Sequence, residues 1–162
     1  MNPVVAYQMT SMLQGVVKRG TGYAVSKLGL PLGGKTGTTN DYIDAWFVGF
    51  SPAIAVGTWV GFDSPKSLGH AETGARAALP IWQQFVGAAL QDARTQDFPV
   101  PEGVEFVQID AESGLLPGVT TQKTITEAFA PGTAPTEVTQ PPSIFDGTGD
   151  GEGGSFNPLG IF

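Results

Sequence analysis

Gly34-Lys35-Thr36-Gly37-Thr38-Thr39-Asn40-Asp41 is the most informative segment of the sequence when it is taken with its neighbours. Two runs rich in aromatic and β-branched residues, 44–50 and 54–62, come directly after it and are joined by Ser51-Pro52-Ala53. Two such runs around a short turn are typical of a β-hairpin. Asn40-Asp41 is itself a turn signal. We therefore predict a strand through Lys35 that continues into an antiparallel hairpin. Apolar residues on both faces of the hairpin predict central, covered strands.

Helical patterns flank this sheet on both sides. Asn2 followed by Pro3 is a typical helix start, and apolar residues then recur at helical spacing as far as Gly20. A short helix is predicted within residues 21–29. After a loop over 64–74, a second helix is predicted over 75–94, and Pro80 kinks it or marks its effective start. The expected fold class is therefore α+β, with an antiparallel sheet packed on helices.

The C-terminal third has a different pattern. Residues 104–109 alternate like a half-buried strand, and Glu112-Ser113-Gly114 comes next as a turn. From Pro131 onward the chain is rich in Gly, Pro and Thr, and it carries acidic residues but no Lys or Arg. We expect a main domain over 1–96, a small β extension over 97–130 and a disordered acidic tail over 131–162.

Composition excludes several classes of function. The net charge of −7 disfavours nucleic acid as a partner, because phosphate binding needs clustered Lys and Arg. The chain has no cysteine, and its one histidine, His70, lies in a predicted loop, so neither a zinc site nor a Ser-His-Asp triad is indicated. We therefore expect no metal and no cofactor. No stretch of the sequence resembles a signal peptide, and no apolar run is long enough to span a bilayer, so we expect any export or anchoring signal to lie outside this chain.

The segment around Lys35 permits two interpretations. Residues 29–36 fit the phosphate-loop pattern G-x-x-x-x-G-K-[ST], which would indicate a nucleotide-binding protein. That pattern requires a helix to begin at the Lys, whereas Gly, Thr, Asn and Asp come next here and start helices poorly. The alternative is the K-T-G element of the serine enzymes that react with penicillin.

The K-T-G interpretation has a physical basis on a strand that lines a cleft. Side chains two residues apart lie on the same side of a strand, so the hydroxyls of Thr36 and Thr38 can converge on one carboxylate. Gly37 between them lets an extended peptide or a β-lactam lie against the strand. Lys35 adds a positive charge. These four residues are the candidate site.

The longer context resembles the class A penicillin-binding proteins, which are bifunctional peptidoglycan glycosyltransferase/transpeptidases with a penicillin-binding, serine β-lactamase-like fold. The resemblance is strong over about residues 2–95 and looser over 98–137. The segments that carry it are Gly34 to Tyr42, Asp44-Ala45-Trp46-Phe47-Val48-Gly49-Phe50, Val60-Gly61-Phe62-Asp63, Ala6 to Leu13, Arg19-Gly20-Thr21-Gly22, Ala78-Leu79-Pro80-Ile81-Trp82 and Phe129 to Thr136.

The resemblance implies a D,D-transpeptidase that cross-links peptidoglycan stem peptides through an acyl-serine intermediate, which β-lactams also form. It implies that Lys35 is catalytic and holds the cleft positive, and that Thr36, Gly37 and Thr38 bind the carboxylate of the D-Ala-D-Ala end or of the drug. The backbone N–H of Thr38 is implied as one oxyanion donor. The parent protein is expected at the periplasmic face of the bacterial inner membrane. The remainder of its transpeptidase domain is the expected partner of this chain.

One departure limits these expectations. None of the five lysines has a serine three residues before it, so the S-x-x-K nucleophile is absent. Ser155-Phe156-Asn157 fits the family's S-x-N element, but it lies on the wrong side of K-T-G and is interpreted as chance. We therefore expect a C-terminal fragment that is inactive alone. A non-catalytic binding module that retains the carboxylate strand is the alternative, and a nucleotide-binding protein is the third hypothesis.

The last expectation concerns the three tryptophans. Trp46, Trp59 and Trp82 lie in the predicted hairpin and second helix. We interpret them as core aromatic residues rather than as a sugar-binding platform.

Overall fold

The computed structural model describes residues 1–91 and 96–141. Two α-helices and five strands make up most of this part, with short 3₁₀ and π segments between them. In chain order these are α1 (Pro3–Arg19), a 3₁₀ helix (Tyr23–Leu28), β1 (Gly33–Thr38), a 3₁₀ turn (Asn40–Tyr42), β2 (Ala45–Phe50), β3 (Ala55–Val60), a π-helix (Gly74–Ala78), α2 (Leu79–Ala89), β4 (Glu105–Asp110) and β5 (Thr124–Phe129).

The first helix begins and ends as the sequence predicts. The Asn2 side chain accepts a hydrogen bond from the Val4 N–H at 2.8 Å, and Pro3 stands in the first turn, where its missing N–H costs nothing. Lys18 and Arg19 lie in the last turn, where the helix dipole favours cations. The short helix predicted within residues 21–29 is also present, as the 3₁₀ helix.

The predicted antiparallel sheet is confirmed. It has three strands in the order β1-β2-β3, and both pairings are antiparallel. The helices cover one face, where Phe47 of β2 and Trp82 of α2 meet edge to face at 5.1 Å between ring centroids. Both are fully buried, together with Leu79, Val25 and Val86. The α+β prediction is therefore confirmed, with the core between the sheet and the helices.

The prediction that both faces of the hairpin are covered is wrong for the described part of the chain. Trp46 and Trp59 are paired across β2 and β3 on the face away from the helices, and they are 43% and 44% exposed. Val48 on the same face is half exposed. Among the three tryptophans, only Trp82 is the core residue that we expected. The alternation of exposure along β2 is that of a sheet with one covered face.

The second predicted helix is divided in two. A single π-helical turn, Gly74–Ala78, precedes α2, and Pro80 lies in the first turn of α2. Pro80 therefore marks an effective start, one of the two outcomes that we expected, because proline lacks the N–H that a helix interior needs. The predicted end at Arg94 lies outside the described residues.

The predicted small β extension is a two-stranded antiparallel sheet, β4 and β5. It packs against α1: the Gln8 amide donates to the Ala128 carbonyl at 3.2 Å, and Arg19 forms an ion pair with Glu127. Ile109 and Ala128 are its buried apolar residues.

The prediction that the chain is disordered from residue 131 onward is wrong for the first residues of that segment. The Leu116 N–H donates to the Glu137 carbonyl at 2.8 Å, and the Thr139 N–H donates to the Leu116 carbonyl at 2.9 Å, which makes an isolated parallel bridge. The backbone groups of residues 137–139 therefore have partners within the small sheet domain. Residues 142–162, including Ser155-Phe156-Asn157, lie outside the described part.

Asp110 predicts a pH dependence of this small domain. Hydrogen bonds from the Thr121 hydroxyl and from the backbone N–H groups of Ser113 and Glu112 lower the pKa of Asp110 from its ordinary value of 3.8 to about 2. A depressed folded-state pKa contributes stability that is present above about pH 4 and lost as the pH falls through about 2. In urea unfolding, we expect the stability advantage of the wild type over Asp110→Asn to be larger at pH 6 than at pH 2.5. An equal difference at both pH values would contradict this assignment.

Candidate functional site

The four candidate residues lie on β1, an edge strand that pairs only with β2 within residues 1–91 and 96–141. The Thr39 N–H donates to the Asp44 carbonyl at 3.0 Å, which makes that pair a hydrogen-bonded one. Hydrogen-bonded and non-bonded pairs alternate in an antiparallel ladder. Thr38, opposite Ala45, and Thr36, opposite Phe47, are therefore at non-bonded positions. Their N–H and C=O groups point to the free edge of the sheet.

Side chains alternate between the two faces along β1. Lys35 and Gly37 lie opposite Val48 and Trp46, on the face that the described residues leave open. Thr36 and Thr38 lie on the other face, toward the helices. The prediction that the two threonine side chains share one side is confirmed.

Each threonine hydroxyl has a partner from outside the motif. Thr36 Oγ1 lies 2.9 Å from Thr21 Oγ1, in the segment just after α1. Thr38 Oγ1 accepts a hydrogen bond from the Gly74 N–H at 3.0 Å, at the start of the π-helix. Sequence reasoning missed both partners, although Thr21 lies within the Arg19-Gly20-Thr21-Gly22 segment that contributes to the resemblance.

Gly74 allows the π-helix to contact the strand. A Cβ atom added there would overlap the carbonyl oxygens of Gly37 and Trp46. Only glycine lets the two backbones approach closely enough for the Gly74 N–H to reach Thr38. Single π turns of this kind are frequent at functional sites.

Lys35 brings a positive charge to the edge of the sheet. Its side chain is exposed, and Nζ donates to the Thr36 carbonyl at 2.8 Å. The ion pairs of the described part are Arg19–Glu127 and Arg76–Glu72, so within it no carboxylate neutralises Lys35. The cation and the outward N–H groups of the strand lie at the same edge and can attract an anion.

The structure contradicts the nucleotide-binding interpretation. A phosphate loop needs a helix that begins at its Lys and Thr, whereas Lys35 and Thr36 lie inside a strand. Three other candidate polar residues have ordinary structural neighbours: Glu72 and Arg76 form an ion pair at 3.8 Å, and His70 lies beside Tyr42 with 6.2 Å between ring centroids. Within the described residues, no group of three His, Cys, Asp or Glu side chains could hold a metal.

No helix of the described part is long and apolar enough to cross a membrane.

Two protein families match the chain. Residues 1–81 match the penicillin-binding protein transpeptidase domain. Residues 100–141 match the C-terminal domain of penicillin-binding protein 1A.

Individual proteins give the same result. Penicillin-binding protein 1A of Rickettsia conorii is 48% identical over 124 residues, which cover 76% of this chain and 15% of that protein. The Pseudomonas aeruginosa protein of the same name is 42% identical over 145 residues, 88% of this chain and 18% of the relative. The crystal structure of penicillin-binding protein 1A from Haemophilus influenzae matches with a TM-score of 0.69 at 31% identity, over 80% of this chain and 20% of that one. The chain thus spans less than a fifth of the length of these two curated relatives.

Proposed function

Because the chain belongs to the family of penicillin-binding protein transpeptidase domains, we propose that it is the part of a peptidoglycan D,D-transpeptidase that binds the terminal carboxylate of the stem peptide. The observation that carries the proposal is the edge strand β1, on which a cation and two threonine hydroxyls occupy neighbouring positions. β-Lactams carry a carboxylate at the corresponding place and would bind the same groups.

The charges and hydroxyls on β1 support this role. A Lys–carboxylate pair at contact distance gains roughly 4 kcal/mol at an effective dielectric near 20, before desolvation is subtracted. Lys35 starts on the open face, but its Nζ reaches the free edge of β1 at the Thr36 carbonyl and would supply that charge there. The hydroxyls of Thr36 and Thr38 would donate hydrogen bonds to the carboxylate oxygens from the other side of the same edge. Gly37 lies between them without a side chain, which lets a bound peptide approach the edge of the strand closely.

The free edge of β1 supports a role in orienting the peptide. An extended peptide can add to a sheet edge through main-chain hydrogen bonds, and within the described residues no strand pairs with the N–H and C=O groups at the outer edge of β1. The Thr38 N–H would then lie beside the carbonyl that is attacked and would stabilise its oxyanion. The proposed chemistry uses side-chain and backbone groups only.

The S-x-x-K motif of the family's nucleophile has no match in these 162 residues, so we assign the reacting serine to a longer protein. A serine of the longer protein would attack the carbonyl of the penultimate D-Ala, and the terminal D-Ala would leave with its amine protonated. The resulting ester would then pass to an amine of a neighbouring stem peptide, which regenerates the serine hydroxyl. The longer protein would also carry a glycosyltransferase domain and a membrane anchor, with this domain at the periplasmic face.

The open face of the sheet is where the remainder of the transpeptidase domain would pack. Trp46, Val48 and Trp59 form an apolar patch beside Lys35, and the Trp59 indole N–H donates to Asp44 at 2.9 Å. Exposed apolar patches of this kind mark interaction surfaces. Packing there would bring the nucleophile next to Lys35.

Comparing the chain alone with the longer protein tests this proposal. We expect intact-protein mass spectrometry to detect a hydroxylamine-labile penicillin adduct on the longer protein and none on the chain. Iodide should quench the fluorescence of Trp46 and Trp59 in the chain but not in the longer protein. A stoichiometric adduct on the chain alone would refute the missing-nucleophile argument. Reversible binding without an adduct on the longer protein would favour the non-catalytic binding module.

A further inference from the structure

A hydroxyl from outside the motif contacts one of the two threonines of the proposed carboxylate site. Thr21 Oγ1 and Thr36 Oγ1 lie 2.9 Å apart, which is a hydrogen-bond distance. Either hydroxyl could be the donor. The direction of this bond matters, because a hydroxyl has one proton. If Thr36 donates to Thr21, it has no proton left for a ligand. If Thr21 donates to Thr36, the Thr36 proton is free.

We propose that Thr21 is a positioning residue of the carboxylate site, whose hydroxyl donates to Thr36 Oγ1 and so directs the Thr36 proton to the bound carboxylate. This inference rests on the proposed function. A carboxylate can only accept hydrogen bonds, so its arrival selects the chain Thr21 to Thr36 to ligand. Successive hydroxyls in such a chain polarise one another and strengthen the final bond.

The second threonine is arranged in the same way. The Gly74 N–H can only donate, so the bond that it makes to Thr38 Oγ1 uses an acceptor position and leaves the Thr38 proton free for another partner. Both hydroxyls thus have a group from outside the motif that is able to donate within hydrogen-bond distance, although the two groups come from segments on opposite sides of β1 in the sequence. This parallel supports assigning the donor role to Thr21.

The segment that carries Thr21 is held in place by its own backbone. The N–H groups of Gly20 and Gly22 both donate to the Val16 carbonyl, at 3.0 and 3.1 Å, which closes the end of α1 around Thr21. Gly22 is buried next to Phe47 of the core. Thr21 itself is exposed, so its hydroxyl lies at the border between the core and the solvent where a ligand would arrive.

The test uses the 162-residue chain and two probes, N-acetyl-D-Ala-D-Ala and the same dipeptide with a C-terminal amide. We expect Thr21→Val to raise the Kd for the acid about three- to tenfold in NMR titrations, the usual effect of one hydrogen bond. The Kd for the amide should rise less, because its neutral carbonyl accepts a weaker hydrogen bond than a carboxylate does. Thr21→Ser, which keeps the hydroxyl, should restore the wild-type Kd. Thr10→Val makes the same change on α1, where the hydroxyl bonds the Ala6 carbonyl at 2.9 Å, and should change neither Kd.

Thr36→Val distinguishes a failure of the proposed role of Thr21 from a failure of the proposed carboxylate site. If it weakens acid binding and Thr21→Val does not, the role of Thr21 is refuted and the carboxylate site stands. If neither variant affects the acid, or if the wild type does not bind it at millimolar concentration, the carboxylate site in this chain is refuted together with the inference. Equal weakening of acid and amide by Thr21→Val would show a merely structural role and would also overturn it.

Discussion

Replacing Lys35 by alanine is expected to slow the acylation of the longer protein by penicillin about 10²- to 10³-fold, the usual cost of removing one preorganised electrostatic group from an active site. Lys35 is the cation of β1, and no carboxylate of the described part neutralises it. Its loss would leave the ligand carboxylate bound by neutral hydroxyls alone. The second-order acylation rate, measured with a fluorescent penicillin, reports the effect.

Lys66→Ala is the matched control for Lys35→Ala. Lys66 is also exposed, but it lies outside the K-T-G motif, in the loop after β3, where its Nζ stands over the Phe62 ring at 5.3 Å. Its removal should leave the acylation rate within about twofold. A β-lactam whose carboxylate is esterified should discriminate far less between wild type and Lys35→Ala. If Lys35→Ala kept the wild-type rate with ordinary penicillin, the assignment of Lys35 to the carboxylate site would be wrong.

Elements with local signals could be predicted from the sequence. The start of α1 depends on Asn2 and Pro3, which act within one helical turn. The hairpin depends on two β-branched and aromatic runs and the short turn between them. The shared side of Thr36 and Thr38 results from the two-residue period of a strand.

Contacts between distant segments could not be predicted. Thr21 and Thr36 are separated by 15 residues, and Thr38 and Gly74 by 36, and no pattern in either segment specifies the pairing. The same holds for the bridge from Leu116 to Val138, which orders residues that their composition assigned to a disordered tail. The exposure of Trp46 and Trp59 was missed for another reason. Apolar residues on a strand face predict that the face is covered, but they do not specify which part of the protein covers it.

Trp82→Ala is expected to destabilise the chain by about 3–5 kcal/mol, the usual cost of deleting a large buried aromatic side chain. Trp82 is 1% exposed, packs edge to face on Phe47, and its indole N–H donates to the Val56 carbonyl at 2.9 Å. The substitution leaves a cavity and removes the hydrogen bond to the part-buried Val56 carbonyl. Because small domains have about 5–15 kcal/mol of stability in all, a large part of it would be lost. Urea unfolding monitored by circular dichroism measures the change.

Trp46→Ala is the control, because it deletes the same side chain from the open face of the same sheet. Trp46 is 43% exposed, so the loss in the isolated chain should stay below about 1 kcal/mol. The difference between Trp82→Ala and Trp46→Ala also concerns the carboxylate site. An added Cβ at Gly49 would lie 2.6 Å from Trp82, so the indole lies directly against β2, the strand that sets the register of β1. Loss of Trp82 should therefore also weaken carboxylate binding, and equal destabilisation by the two substitutions would contradict the one-sided core.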